Sequence, residues 1–213
     1  MGLQQEINHR RSELQQYLGR HWQDFLDLIS ILQEFGALEG LEPTPLGQAT
    51  AAVRGDNELW LGLALMSGEL DDLVPSQLAA ACAVLVTEVS RSDSWTNYQL
   101  SEEIEDALSR LWETRKALII AQSERGVEFM VLPERWENQQ ISALVEQWAE
   151  QVDWSELLDN TSLDEGDLVR IFRRTLDFLS QIPHVPYISA QLQQNAKAAR
   201  QLIDRFPINE VVD

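Results

Sequence analysis

The stretch PSQLAAACAVLVTEVSR, residues 75–91, constrains the fold more than any other part of this chain. Pro75 suits the first turn of a helix, where its missing N–H loses no partner. Every residue from 78 to 86 is apolar. A helix with no face to offer to water must run through the centre of a bundle. Cys82 lies inside this run and reads as a small buried apolar residue. It is the only cysteine, so it forms no internal disulfide, which fits a reducing compartment. The run falls well short of the roughly 20 apolar residues of a membrane helix. Residues 1–20 carry charges where a signal peptide needs an apolar core, so the chain reads as soluble and cytoplasmic or stromal.

Helical spacing surrounds that central run. Trp22, Phe25, Leu26, Ile29 and Leu32 recur at three or four residues until Gly36 stops the pattern, and the polar, charged, helix-favouring segment before them reads as a frayed or truncated lead-in. GALEGLEPTPLGQ suits a small β-hairpin or turn, with Thr44 capping a short helix begun by Pro45. Asp56 is placed to cap a helix running through Met66 and closed by Gly68. Residues 101–124 carry Ile104, Leu108, Leu111, Trp112 and Leu118 on one side of a long helix, and helical spacing returns over 137–158. GVEFMVLP, 126–133, is the one credible strand. Ser162 and Glu165 form a capping-box pattern ahead of a helix, and a last helix covers about 189–204. The expected fold is mainly α, a helical bundle with a small hairpin near the N-terminus.

The formal charge is −19, with a pI near 4.4, so a surface that grips nucleic acid everywhere is excluded. The charge is uneven. Residues 1–54 hold 4 basic and 7 acidic residues, 55–160 hold 6 and 21, and 161–213 hold 6 and 7. Within the last segment, DEGDLVRIFRR places Arg170, Arg173 and Arg174 within five positions. On a helical projection Leu168, Ile171, Phe172, Thr175, Leu176 and Leu179 gather on one side. Asp167, Arg170, Arg174 and Asp177 lie opposite, with Arg173 flanking them. The arginines therefore face away from the core. Their bland reading is intrahelical pairing, Arg170 with Asp167 and Arg173 with Asp177, each pair worth about 0.2–0.5 kcal/mol. Arg174 has Phe178, not an acid, four residues on.

Catalytic motifs are missing. A P-loop needs a Gly-rich turn ending in Lys and Ser or Thr, and the only lysines are Lys116 in RKAL and Lys197 in AKAA. There is no GxGxxG, GxSxG or HExxH pattern. His9, His21 and His184 are far apart and, with one cysteine, form no recognisable zinc set. Asp71–Asp72 and the Glu102, Glu103, Glu105, Asp106 group read as solvated carboxylates, the latter favoured by the dipole of a helix start. Most of the seven tryptophans fall at apolar helical spacings and read as core rather than base-stacking platforms.

Two stretches carry a family resemblance. TPLGQATAAVRGDNELWLGLALMSGELDDLVPSQLAA, 44–80, resembles the junction in superkiller-type DExH-box RNA helicases where a winged-helix module passes into the C-terminal helical domain of DSH type (DSHCT). The family's Gly-x-x-Ala falls loosely on Gly47 to Thr50, its Glu-Leu pair on Glu58–Leu59, and its Ser-Gly…Leu…Pro…Leu-Ala-Ala run on 67–80. TSLDEGDLVRIFRRTLDFLSQI, 161–182, is similar to the same domain's stretch in which Glu-Gly precedes a helix with basic residues. The likeness covers about 44–206 and is nearest the cyanobacterial and plastid branch.

The resemblance implies a division into a lead-in helix with a winged-helix remnant, 1–54, and a helical bundle, 55–213. It implies an accessory domain that packs beneath two ATPase domains of the same polypeptide and lines the tunnel through which single-stranded RNA is drawn 3′ to 5′. The chain itself would do no chemistry and hold no cofactor, with ATP and Mg belonging to the ATPase domains and the location being a bacterial cytoplasm or a plastid stroma. Arg174 takes the place of the family's RNA-reaching arginine, beside Arg170 and Arg173. Glu88 takes the place of an acidic residue that touches a base at the end of the central helix. The competing expectation is a protein-interaction module, in which the acidic region 55–160 docks a basic partner and no nucleic acid is involved.

Overall fold

The computed structural model describes residues 3–87, 94–127 and 139–209. Among them are nine α-helices and one two-stranded antiparallel hairpin: α1 (Leu3–Glu34), β1 (Leu38–Glu39), β2 (Glu42–Pro43), α2 (Pro45–Ala51), α3 (Glu58–Met66), α4 (Pro75–Val86), α5 (Glu102–Glu124), α6 (Gln139–Ala149), α7 (Trp154–Asp159), α8 (Glu165–Gln181) and α9 (Ala190–Ile203). The fold is mainly α, as the helical spacing predicts.

The all-apolar helix α4 is the axis of the bundle. It packs against α5, α6, α8 and α9, and its residues from Leu78 to Leu85 are all buried. Alanines at 79, 80, 81 and 83 let the neighbouring helices approach closely, which is how one helix can serve four partners. Cys82 is fully buried, and burial pushes its thiol far above the ordinary range. On the far side Trp148 of α6 is fully buried, donates through Nε1 to Ile203 O at 3.0 Å, and packs its ring against Trp154 and Phe172. The guanidinium of Arg205 lies over the same indole and donates to Trp148 O and Val152 O, both at 2.8 Å.

The hairpin and α2 form a compact step between α1 and α3. Thr44 Oγ1 accepts from Gly47 N at 3.2 Å and donates to Gly36 O at 2.7 Å, so one residue caps α2 and ties it to the end of α1. Gly36 closes α1 with φ +75°. Gly47 is required for contact: a Cβ there would sit 2.1 Å from Ala37 O.

Several expectations shift. The cap of α3 is Asn57, whose Oδ1 accepts from Trp60 N, and not Asp56, which is turned toward α8. The cap of α8 is Asp164, whose Oδ1 accepts from Asp167 N at 2.8 Å. Ser162 is unavailable because it exchanges two hydrogen bonds with Trp95, in a short pairing of 95–97 with 160–162. The single pattern over 137–158 divides into α6 and α7 at Gln151, whose φ is +73°. The lead-in is helical, as its helix-favouring composition suggests, and continuous with the rest of α1 rather than frayed; Trp22 on α1 is 62% exposed and Trp95 is also exposed, so these two tryptophans are not core. The strand expected at 126–133 falls, from 128 onward, outside the described residues, as does Trp136; Gly126 and Val127 form the turn after α5.

Candidate nucleic-acid interface

The candidate interface is built on α8. Leu168, Ile171, Phe172, Thr175, Phe178 and Leu179 are buried against the bundle, and the hydroxyl of Thr175 is satisfied by donating to Ile171 O at 2.8 Å. This anchors the helix by one face and leaves Arg170, Arg173 and Arg174 on the exposed side. Arg170 pairs with Asp167 at 2.5 Å, the intrahelical contact expected from its spacing. Arg173 donates from Nε to Ile208 O at 3.4 Å, which ties the chain after α9 to this face. Arg174 meets an acid from elsewhere: its guanidinium pairs with Asp56, 118 residues away in the link between α2 and α3.

That link forms the opposite bank of a groove of about 370 Å³. Among the described residues Arg54, Arg115, Arg173 and Arg174 line it together with Asp56 and Asp177, an excess of two positive charges in a strongly acidic chain. Its walls include Trp60, Leu61, Leu85, Val86 and Phe178. Arg115 lies on α5 with its guanidinium carbon 5.0 Å from the centre of the Trp60 ring. Arg54 is held at the rim because its Nη1 donates to Ala51 O at 3.0 Å and to Val53 O at 2.9 Å. The link is fixed at both ends. Arg54 N donates to Gln181 Oε1 on α8, and Asn57 Nδ2 donates to Gln122 Oε1 on α5 at 2.9 Å.

Of the four residues singled out in sequence, Arg173 and Arg174 reach the groove, while Arg170 is not among the residues that line it. Glu88 lies outside the described residues; Thr87, directly before it, is part of the groove wall. Arg54 and Arg115 escape a sequence reading. Arg115 did leave a signal: Ile104, Leu108, Leu111, Arg115 and Leu118 follow one three-or-four spacing, so a cation occupies a core-facing position of α5. Arg54 left none, since an arginine in VRGD between two helices reads as an ordinary turn.

Chemically, such a groove can hold an anion. Guanidinium groups fork onto phosphate or carboxylate oxygens, and the apolar walls suit a sugar or base edge. Among the described residues no group of three or more His, Cys, Asp or Glu side chains is arranged to hold a metal ion.

These features define a class, an α-helical domain that is acidic overall and concentrates arginine at one groove beside its central helix. The chain belongs to the DSHCT (NUC185) domain family, whose model matches residues 40–211. That span contains both stretches, 44–80 and 161–182, on which the resemblance rests. The chain is also similar to an Arabidopsis thaliana protein described as the DExH-box ATP-dependent RNA helicase DExH15, chloroplastic. The two are 37% identical over 206 residues, covering 94% of this chain and 17% of that protein.

Proposed function

We propose that this chain is an accessory C-terminal domain of an ATP-dependent RNA helicase, guiding single-stranded RNA while ATPase domains of the same polypeptide draw the strand 3′ to 5′. The observation that carries this reading is the convergence of Arg54, Arg115, Arg173 and Arg174 on one groove in a chain of charge −19. Local cationic clusters on an acidic body bind a strand at one place without condensing on nucleic acid everywhere. Contacts to one or two nucleotides, at about 1–3 kcal/mol for each base gripped, make binding weak and strongly salt-dependent. That suits a guide, which must let the strand move.

The residues present do not fit an ATP–Mg site. Lys116 and Lys197 stand on α5 and α9, and neither follows a Gly-rich turn that could cradle phosphates. We therefore assign nucleotide hydrolysis to domains outside these 213 residues. The decisive experiment is Arg174→Ala in the complete helicase. RNA-stimulated ATP hydrolysis and unwinding should fall while the thermal midpoint of the protein holds. Unchanged unwinding at unchanged stability would remove the guiding role.

A further inference from the structure

Asp56 is an acid in the one place where an anionic ligand should find only cations. Its carboxylate pairs with Arg174 inside the groove, although no helix spacing or strand register requires the two to meet. The link carrying it is positioned independently of that pair. Arg54 exchanges backbone hydrogen bonds with Gln181 at 2.7 and 3.3 Å, and Asn57 bonds Gln122. Asp56, between these two anchors, is presented to Arg174 by its neighbours.

The pair itself is weak. The Arg174 side chain is 41% exposed and that of Asp56 is 68% exposed, and ion pairs in such settings contribute about 0–1 kcal/mol. A carboxylate and a phosphate also make the same demand on a guanidinium fork, two acceptor oxygens in one plane. The groove's second acid differs, because Asp177 Oδ2 already accepts from Gln181 Nε2 at 3.0 Å. A groove of about 370 Å³ lies within the range of about 300–1,000 Å³ typical of small-ligand sites, roomy enough for one nucleotide unit.

We propose that Asp56 is an internal stand-in for an RNA phosphate: it occupies Arg174 in the free domain, and a nucleotide unit of a single strand displaces it, setting its phosphate on Arg174 in the groove that Arg54 and Arg115 also line. The proposal rests on the RNA-guiding reading and adds a gate to it. Each nucleotide that arrives exchanges one ion pair for another, so the net gain per step is small and the strand is not trapped. Asp56 then swings toward solvent, where its exposure already leaves it room.

The test uses the 213-residue chain and a fluorescently labelled oligouridylate, with affinity read by anisotropy at low salt and folding checked by thermal circular dichroism. Asp56→Asn should tighten binding about two- to fivefold, the equivalent of freeing Arg174 from a surface ion pair. Arg174→Ala should weaken it about tenfold. The double variant should bind no more tightly than Arg174→Ala alone, because Asp56 acts through Arg174. Asp72→Asn, an equal change of charge outside the groove, should have a smaller effect than Asp56→Asn. If Asp56→Asn leaves affinity unchanged or lowers it while Arg174→Ala weakens binding, the stand-in role is overturned and the RNA reading stands. Tightening by Asp56→Asn that persists in the Arg174→Ala background, or that Asp72→Asn matches, also overturns it, since net charge alone would then account for the effect. If Arg174→Ala changes nothing, or no variant binds, both readings fall together.

Discussion

The side-chain amide of Gln181, at the end of α8, clasps the backbone of Arg54 from both sides: Arg54 N donates to Oε1 at 2.7 Å, and Nε2 donates to Arg54 O at 3.3 Å. The contact joins positions 127 residues apart and sets the α2–α3 link in register with the arginine face of α8. It is one of two anchors of the link, the other being the Asn57–Gln122 bond to α5.

Gln181→Ala should lower stability by about 0.5–1.5 kcal/mol, the ordinary range for a lost hydrogen bond at a partly exposed site. Urea unfolding measures that loss. Hydrogen exchange at the Arg54 amide should quicken well beyond the change seen at amides of α4, because the opening is local.

Gly47→Ala should destabilise the step between α1 and α3. The added methyl would meet Ala37 O at 2.1 Å, and a backbone carbonyl held by the hairpin cannot retreat cheaply. Overpacking of this kind costs about 1–3 kcal/mol, visible as a lower urea midpoint.

Arg115→Met keeps a long stem against Trp60 while removing the charge. Stability should change by less than about 1.5 kcal/mol, as for a volume-conserving exchange. RNA affinity should fall severalfold, and the slope of log affinity against log salt should flatten by about 0.7, one phosphate contact on a single strand. A steep, unchanged slope would take Arg115 out of the interface.

Glu146 of α6 is only 4% exposed, and its carboxyl is pushed above the ordinary value of 4.5, first by burial and then by Glu150 and Glu103 nearby. Ser101 works the other way, its N–H donating to Oε2 at 3.3 Å. Because the folded state holds this proton more tightly than the unfolded chain, stability from this group is greatest below pH 4.5 and declines as pH rises toward the raised folded pKa. Glu146→Gln, which retains an acceptor for Ser101, should therefore raise the thermal midpoint at neutral pH. Its advantage should vanish in acid, as calorimetry across pH would record.

Local chemistry made much of the fold legible. The all-apolar 78–86 run announced a central helix, and Thr44, Pro45, Pro75 and Gly36 stand at the helix boundaries expected of them. The two capping errors share one cause. Asp56 and Ser162 are both good caps by composition, yet each is taken by a distant partner, Arg174 in one case and Trp95 in the other, and a neighbouring Asn57 or Asp164 caps instead. The break at Gln151 was hidden because a left-handed glutamine carries no mark in the sequence. Trp22 follows a sound apolar spacing, but periodicity reports only that a helix has a stripe, not that another element covers it.

By itself the sequence determined most of the helical segments, that α4 lies at the centre, and that Arg170, Arg173 and Arg174 stand on the side of α8 away from its buried stripe. Those properties follow from spacing within one segment. The groove was decided by tertiary structure alone, since Arg54, Arg115 and Arg174 come from three parts of the chain joined only by packing around α4. A helix specifies its own faces through its 3.6-residue period, but which faces meet depends on how distant helices cross. That crossing set an aspartate from the α2–α3 link on an arginine of α8.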